Sequence, residues 1–168
     1  AQKFDNSIKL GMVTDVSGLD PYFSSRIYEG LEKIKEKYGV EIKVIESTEQ
    51  SEYEKNFSTL VEEGYDLIWG YGNFIANSLN ATASKNKDTY FGLIDASSNN
   101  DNVLTTSFKV EEGSYLIGVI AGLKTDNNKV SFIGGEKIEI IEKYQAGFEA
   151  GVKAVNPNAE IIIGYTGV

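Results

Sequence analysis

Neither cysteine nor histidine occurs in the 168 residues. Their absence removes disulfides, Cys/His zinc sites, thiol nucleophiles and any triad with an imidazole base. Only carboxylate, Ser, Lys or Tyr chemistry remains. A cysteine count of zero is compatible with an oxidising or a reducing compartment. There is no run of about 18 consecutive apolar residues, so no stretch reads as a membrane-spanning helix. An apolar signal-peptide core is also missing. The chain opens on the polar stretch Ala1-Gln2-Lys3-Phe4-Asp5-Asn6, which fits a cytosolic start and a mature start after cleavage equally well. Basic runs are absent too. The 16 Lys and Arg are outnumbered by 25 Asp and Glu, for a formal charge of −9. Nucleic-acid readers carry a basic patch or stripe, so no nucleic-acid partner is expected, and the charge reads as solubility charge. No Walker-type Gly-Lys-Ser/Thr occurs, and Gly70-Tyr71-Gly72 lacks the spacing of a dinucleotide fingerprint.

What is present is an alternation. Hydrophobic residues at 41% and charged residues at 24% are ordinary for a globular chain, and the length suffices for a core. Ile8 to Val13 is a short apolar run closed by Thr14-Asp15 and Ser17-Gly18, a buried strand. Ile27, Leu31, Ile34 and Tyr38 recur at helical spacing, and Gly39 supplies the stop. Val40 to Glu46 alternates as a strand. Ser51-Glu52-Tyr53-Glu54 reads as a helix start with a capping box, and Phe57, Leu60 and Val61 form that helix's apolar face. Strands follow at 66–71, 90–94, 103–109, 129–133 and 160–165. Between them lie helices marked by Ile75, Leu79 and Ala83, by Leu116, Val119, Ile120 and Leu123, and by Ile141, Tyr144, Phe148, Val152 and Val155. Apolar strands joined by helical crossovers imply a doubly wound, mostly parallel α/β sheet covered on both faces. The most polar connection of the second half, Thr125-Asp126-Asn127-Asn128, marks the expected domain boundary, between an amino-terminal lobe 1–125 and a second segment 126–168.

In such a sheet ligands bind beyond the carboxyl ends of the strands. The loops there hold Asp15 and Asp20, then Phe23 and Ser24, then Tyr71, Gly72 and Asn73, then Asp95, then Gly134-Gly135. Aromatic rings offer a flat apolar surface, and carboxylates accept hydrogen bonds from hydroxyl and amino groups. The mixture suits a neutral ligand with a ring and several hydroxyls. The same residues have plainer readings. Asp15 and Asp20 serve equally as turn-formers or helix caps, Phe23 as a core residue, and Asp95 as a loop cap. Metal and cofactor sites are not expected.

Three stretches carry a resemblance. They are Gly11 to Asp20 with Phe23 to Leu31, then Phe108 to Gly118, then Lys129 to Gly135 followed by Tyr144 to Gly151. The chain resembles the basic membrane protein family of solute-binding lipoproteins of ABC transporters, which includes purine-nucleoside receptors. The resemblance implies a type I periplasmic-binding-protein-like fold, with a ligand held between two α/β lobes and handed to a membrane permease. It implies that Asp15 contacts a nucleoside and that Phe23 stacks on its base. The family's Asn after that Phe is replaced here by Ser24, which bears on purine specificity. With Tyr71, Gly72, Asn73 and Asp95, these complete the expected ligand set. The implied protein is not an enzyme, and it is extracytoplasmic and lipid-anchored to the cell membrane. Family members run to about twice this length, so the chain looks truncated early in its second lobe. Weak or absent nucleoside binding and a homodimer or segment swap through unpaired edges are expected of it. Two rivals stand beside this reading: a ligand-sensing regulator of the same fold, and a small α/β enzyme in which Asp15, Asp20 and Asp95 converge on Mg²⁺.

Overall fold

The computed structural model describes residues 8–167; the opening stretch Ala1–Asn6 lies outside them. They divide into two compact units after Ser107. The first unit contains β1 (Lys9–Val13), α1 (Ser24–Tyr38), β2 (Glu41–Ile45), α2 (Tyr53–Glu62), β3 (Leu67–Tyr71), α3 (Gly72–Lys85), β4 (Tyr90–Ile94) and β5 (Val103–Thr106). Its sheet is wholly parallel, in the order β2-β1-β3-β4-β5.

Alternation along each strand sends side chains to two separate cores. From β1, Leu10 and Met12 join Leu31, Val40 and Tyr71 under α1. From the same strand Val13 joins Phe57, Leu60, Ile68, Leu79 and Phe91 on the opposite face, under α2 and α3. Helices on both faces explain why β1 and β4 read as unbroken apolar runs rather than as alternating ones. Trp69 of β3 lies flat across its register partner Gly92 of β4, where an added Cβ would stand 2.3 Å from the indole ring. Gly39 closes α1 at φ 71°, its N–H donating to the Lys35 carbonyl.

The second unit contains α4 (Val110–Lys124), β6 (Lys129–Gly134), α5 (Glu139–Val155) and β7 (Glu160–Tyr165). β6 and β7 pair in parallel, and Phe132 and Ile161 pack on Phe148 and Val152 of α5. α4 and α5 cross with almost nothing between their backbones. An added Cβ on Gly147 would stand 2.2 Å from the Glu111 carbonyl oxygen, and one on Gly151 2.0 Å from that of Tyr115. The Ser114 hydroxyl donates to the Tyr144 carbonyl across the same seam.

Three expectations are corrected. The units divide after Ser107 and not at Thr125–Asn128, because α4 packs on α5 of the second unit. The fifth strand stops at Thr106, where the chain leaves the first sheet. The buried stripe of α4 is Val110, Ser114, Gly118 and Gly122, whereas Leu116, Ile120 and Leu123 face outward. A helix apolar all round does not announce its inner face, and the close crossing selects the side without side chains. A smaller shift concerns the cap before α2, which is formed by Glu49 and Glu52 around a 3₁₀ turn at Gln50–Glu52.

Gly151→Ala should destabilise the second unit by about 3 kcal/mol in urea unfolding, because the new methyl meets backbone that cannot yield. Gly113→Ala is the control. Its Cβ would meet nothing within 4 Å, so helix propensity should make that change neutral to stabilising.

Candidate ligand-binding site

The strand order sets the location. β1 connects outward to β2 on one side, and the chain then returns past β1 to β3 on the other. The two connections leave a crevice beyond the carboxyl ends of β1 and β3, the usual ligand position in an open parallel sheet. Residues 14–23 and 71–74 border it.

The β1–α1 loop is held in place from several directions. The Asp15 N–H donates to the Tyr71 hydroxyl at 3.2 Å, and that hydroxyl donates to Asp15 Oδ1 at 3.2 Å. Asp15 Oδ1 also accepts from the Ser17 N–H, whereas its Oδ2 accepts from none of the described residues. The Val16 N–H donates to the buried Tyr53 hydroxyl, and the Leu19 N–H to Glu46 Oε2 at 3.0 Å. Gly18 sits at φ 63° against that same Glu46 oxygen, where a Cβ would stand 2.6 Å away.

Asp20 closes the turn into α1. Its carboxylate accepts the N–H groups of Tyr22, Phe23 and Ser24 and the Ser24 hydroxyl. The Ser24 hydroxyl, followed by the backbone N–H groups of Phe23, Ser24 and Tyr22, holds the Asp20 carboxyl well below the usual carboxylate range. This turn points Phe23 outward. The ring is partly exposed and meets Tyr71 edge-on, with centroids 5.5 Å apart and planes at 64°.

The seven expected ligand residues therefore fall into distinct positions. Asp15 and Phe23 each contact Tyr71 at the crevice. Tyr71 is only 6% exposed, and burial pushes its phenol up to about 12. Ser24 is fully buried, its hydroxyl engaged with Asp20 and the Gly18 carbonyl. Its role in the structure is to shape the loop. Gly72, at φ 75°, turns β3 directly into α3, and Asn73 stands exposed in the first turn. Asp95, at φ 57°, closes β4 with its N–H on the Thr106 carbonyl. Its strand lies two places from β1, about 10 Å at ordinary parallel spacing.

Asp20 and Glu46 are the contributors that strand-end reading passed over or left undecided. Glu46 closes an alternating strand and looks like any polar end residue. Among the described residues no group of three or more acids is placed to hold a metal ion, and Asp20 is committed to its cap. A hollow of about 580 Å³ lies elsewhere, along α4 and α5 at Tyr115, Leu116, Ala146 and Ala150. It is an open apolar groove without converging polar groups, so the crevice at β1 and β3 is the better ligand site.

A raised tyrosine or a lowered carboxyl translates into pH-dependent stability. Asp20 has a folded value below its unfolded one, so its contribution is complete above about pH 3.9 and is lost as pH falls through the folded value. Asp20→Ala should lower the thermal midpoint at pH 7, and the gap should narrow only on strong acidification. Tyr71 works in the opposite direction. In the unfolded chain it ionises near pH 10 but in the folded chain only at about 12. Its contribution is thus present below pH 10 and lost as pH rises toward 12, and Tyr71→Phe should remove that part of the alkaline destabilisation in a midpoint-versus-pH series.

The protein family described as "ABC transporter substrate-binding protein PnrA-like", Bmp, matches residues 8–168. The "CD4+ T-cell-stimulating antigen" of Listeria monocytogenes is 38% identical over 97% of this chain and 48% of its own. The "ABC transporter nucleoside-binding protein BmpA" of Lactococcus lactis is 32% identical over 98% of this chain and 49% of its own. A solved ABC transporter solute-binding protein from Aeropyrum pernix superposes with a TM-score of 0.79 at 22% identity, over 95% of this chain and 47% of the other. The fold is thus the α/β fold of periplasmic-binding-protein-like solute receptors. The chain spans about half the length of the curated relatives it matches. With that fold, and with the family pattern running from β1 to the end of the chain, this protein belongs to the Bmp family of PnrA-like ABC transporter substrate-binding proteins.

Proposed function

We propose that the chain serves an ABC importer as a receptor for an uncharged, nucleoside-like solute, taken up at the crevice beyond β1 and β3. The observation that carries this reading is the pairing of the half-buried Asp15 carboxylate with the outward ring of Phe23, both resting on Tyr71. A carboxylate oxygen without a donor among the described residues suits the hydroxyls of a sugar. An exposed aromatic face beside it suits a flat base. Gly72, Asn73 and Asp95 would complete the contacts along the sheet edge. A relative that is named as nucleoside-binding supports the same class of ligand.

Charge sharpens the proposal. The loops 14–23, 46–52, 71–74 and 95–102 contain Asp15, Asp20, Glu46, Glu49, Glu52, Asp95 and Asp101, and no Lys or Arg. A phosphate brought there would meet repulsion with no cation from these loops to offset it. Nucleosides should therefore bind and nucleotides should not. Capture needs no bond-making step, and a non-enzymatic role is part of the proposal. So are a permease partner and a lipid-anchored extracytoplasmic position. Among the described residues no helix is long and apolar enough to cross a membrane. Self-association through the second unit is proposed as well, since Ile133 and Ile162 on its two strands are 74% and 52% exposed.

Thermal unfolding with millimolar adenosine, guanosine, inosine, their monophosphates and a panel of sugars tests the ligand class. Binding to the folded state alone raises stability by about 2.7 kcal/mol at a hundredfold excess over the dissociation constant. A saturable rise with a nucleoside, absent with its monophosphate and absent from Asp15→Ala and Phe23→Ala, is the expected result. No rise with any nucleoside would remove that ligand class. Light scattering over a hundredfold range of protein concentration tests self-association, and a constant monomer mass would refute it.

A further inference from the structure

We infer that Tyr71 is a positioning residue of this site, setting the arrangement of Asp15 and Phe23 from beneath without itself touching the ligand. The inference rests on the nucleoside-capture reading. It assigns Tyr71 a different role from the direct contact its place at a strand end suggests.

Three observations carry it. Tyr71 is 6% exposed and belongs to the core under α1, alongside Leu10, Met12 and Leu31. Its hydroxyl is used in both directions by one residue, accepting from the Asp15 N–H and donating to Asp15 Oδ1, each at 3.2 Å. A phenol has one proton to give; the Gly18 carbonyl is farther away at 3.5 Å, and the Ser24 hydroxyl also lies within hydrogen-bonding reach of the phenol oxygen. Finally, the ring packs against Phe23 at a steep angle, with the two centroids 5.5 Å apart.

The loop's other supports behave differently. Tyr53 and Glu46 hold backbone N–H groups at Val16 and Leu19. Tyr71 is the residue that grips the side chain of one ligand candidate and the ring of the other. With the phenol in place, Asp15 has one oxygen anchored and the other without a donor among the described residues. Phe23 meets Tyr71 on one side and stays 38% exposed. Such preorganisation reduces the ordering cost that binding would otherwise incur.

A thermodynamic cycle on the whole chain tests this, with inosine titrated calorimetrically into the parent, Tyr71→Phe, Asp15→Ala and the double variant. Phenylalanine preserves the ring against Phe23 and removes only the hydroxyl. Tyr71→Phe should weaken inosine binding about tenfold, the loss of one hydrogen bond's net contribution. In the Asp15→Ala background the same change should have no further effect, because the residue through which it acts is gone. Additive losses would show Tyr71 touching the ligand itself and would overturn the proposal, as would unchanged affinity in Tyr71→Phe.

Amide hydrogen exchange supplies a ligand-free arm. Without the phenol oxygen, the Asp15 N–H should exchange faster in Tyr71→Phe while the Leu93 N–H keeps its protection. Unchanged Asp15 exchange would overturn the proposal. If the parent binds neither inosine nor adenosine, the nucleoside reading fails; in that case, or if Asp15→Ala abolishes binding, the exchange arm decides the role of Tyr71 alone.

Discussion

β1 lies between β2 and β3, hydrogen-bonded to both. Nearly everything else in the first unit follows from that position. A central parallel strand needs cover on both faces, so its side chains alternate between two cores and its sequence after Lys9 is apolar. Its two sheet neighbours are reached by crossovers on opposite faces, which part at its carboxyl end. The polar residues forced out at that end, Thr14 to Asp20, therefore border a crevice. Site and core are two results of one strand placement, and the core residues Tyr53 and Tyr71 reach up from it to hold the loop.

The loop itself shows how a few short polar side chains can replace a packed interior. Asp20 gathers three N–H groups and one hydroxyl into a single turn, and that turn directs the neighbouring aromatic ring outward. Ser24 belongs to this turn. Its small hydroxyl bridges Asp20 and the Gly18 carbonyl where a larger amide would have to find another arrangement.

Much of this was legible in the sequence. Strand runs such as Tyr90–Ile94 and Glu160–Tyr165 stand out because burial on both faces, or an apolar alternation, leaves a plain pattern. The helix ended by Gly39 was equally plain. The family resemblance singled out Asp15 and Phe23, and in the structure each of them rests on Tyr71. Two kinds of information were hidden. The first is contact across the sheet: nothing in Leu67–Tyr71 says that its last residue meets a loop 56 residues earlier. The second is the orientation of a uniformly apolar helix. In α4 the large residues mark the outward side, and the seam follows Ser114, Gly118 and Gly122, whose signal is the absence of bulk. The domain boundary was misplaced for the same reason, since the attachment of α4 to α5 is written in glycines.

Trp69 is the only tryptophan in the chain. It lies flat on Gly92, on the same face of β3 as Tyr71 and in the same core. The indole is therefore a natural optical reporter seated one alternation below the site. Its emission samples the sheet surface from which the Asp15 loop is suspended, so a disturbance passing down through Tyr71 can be followed by fluorescence without adding a label.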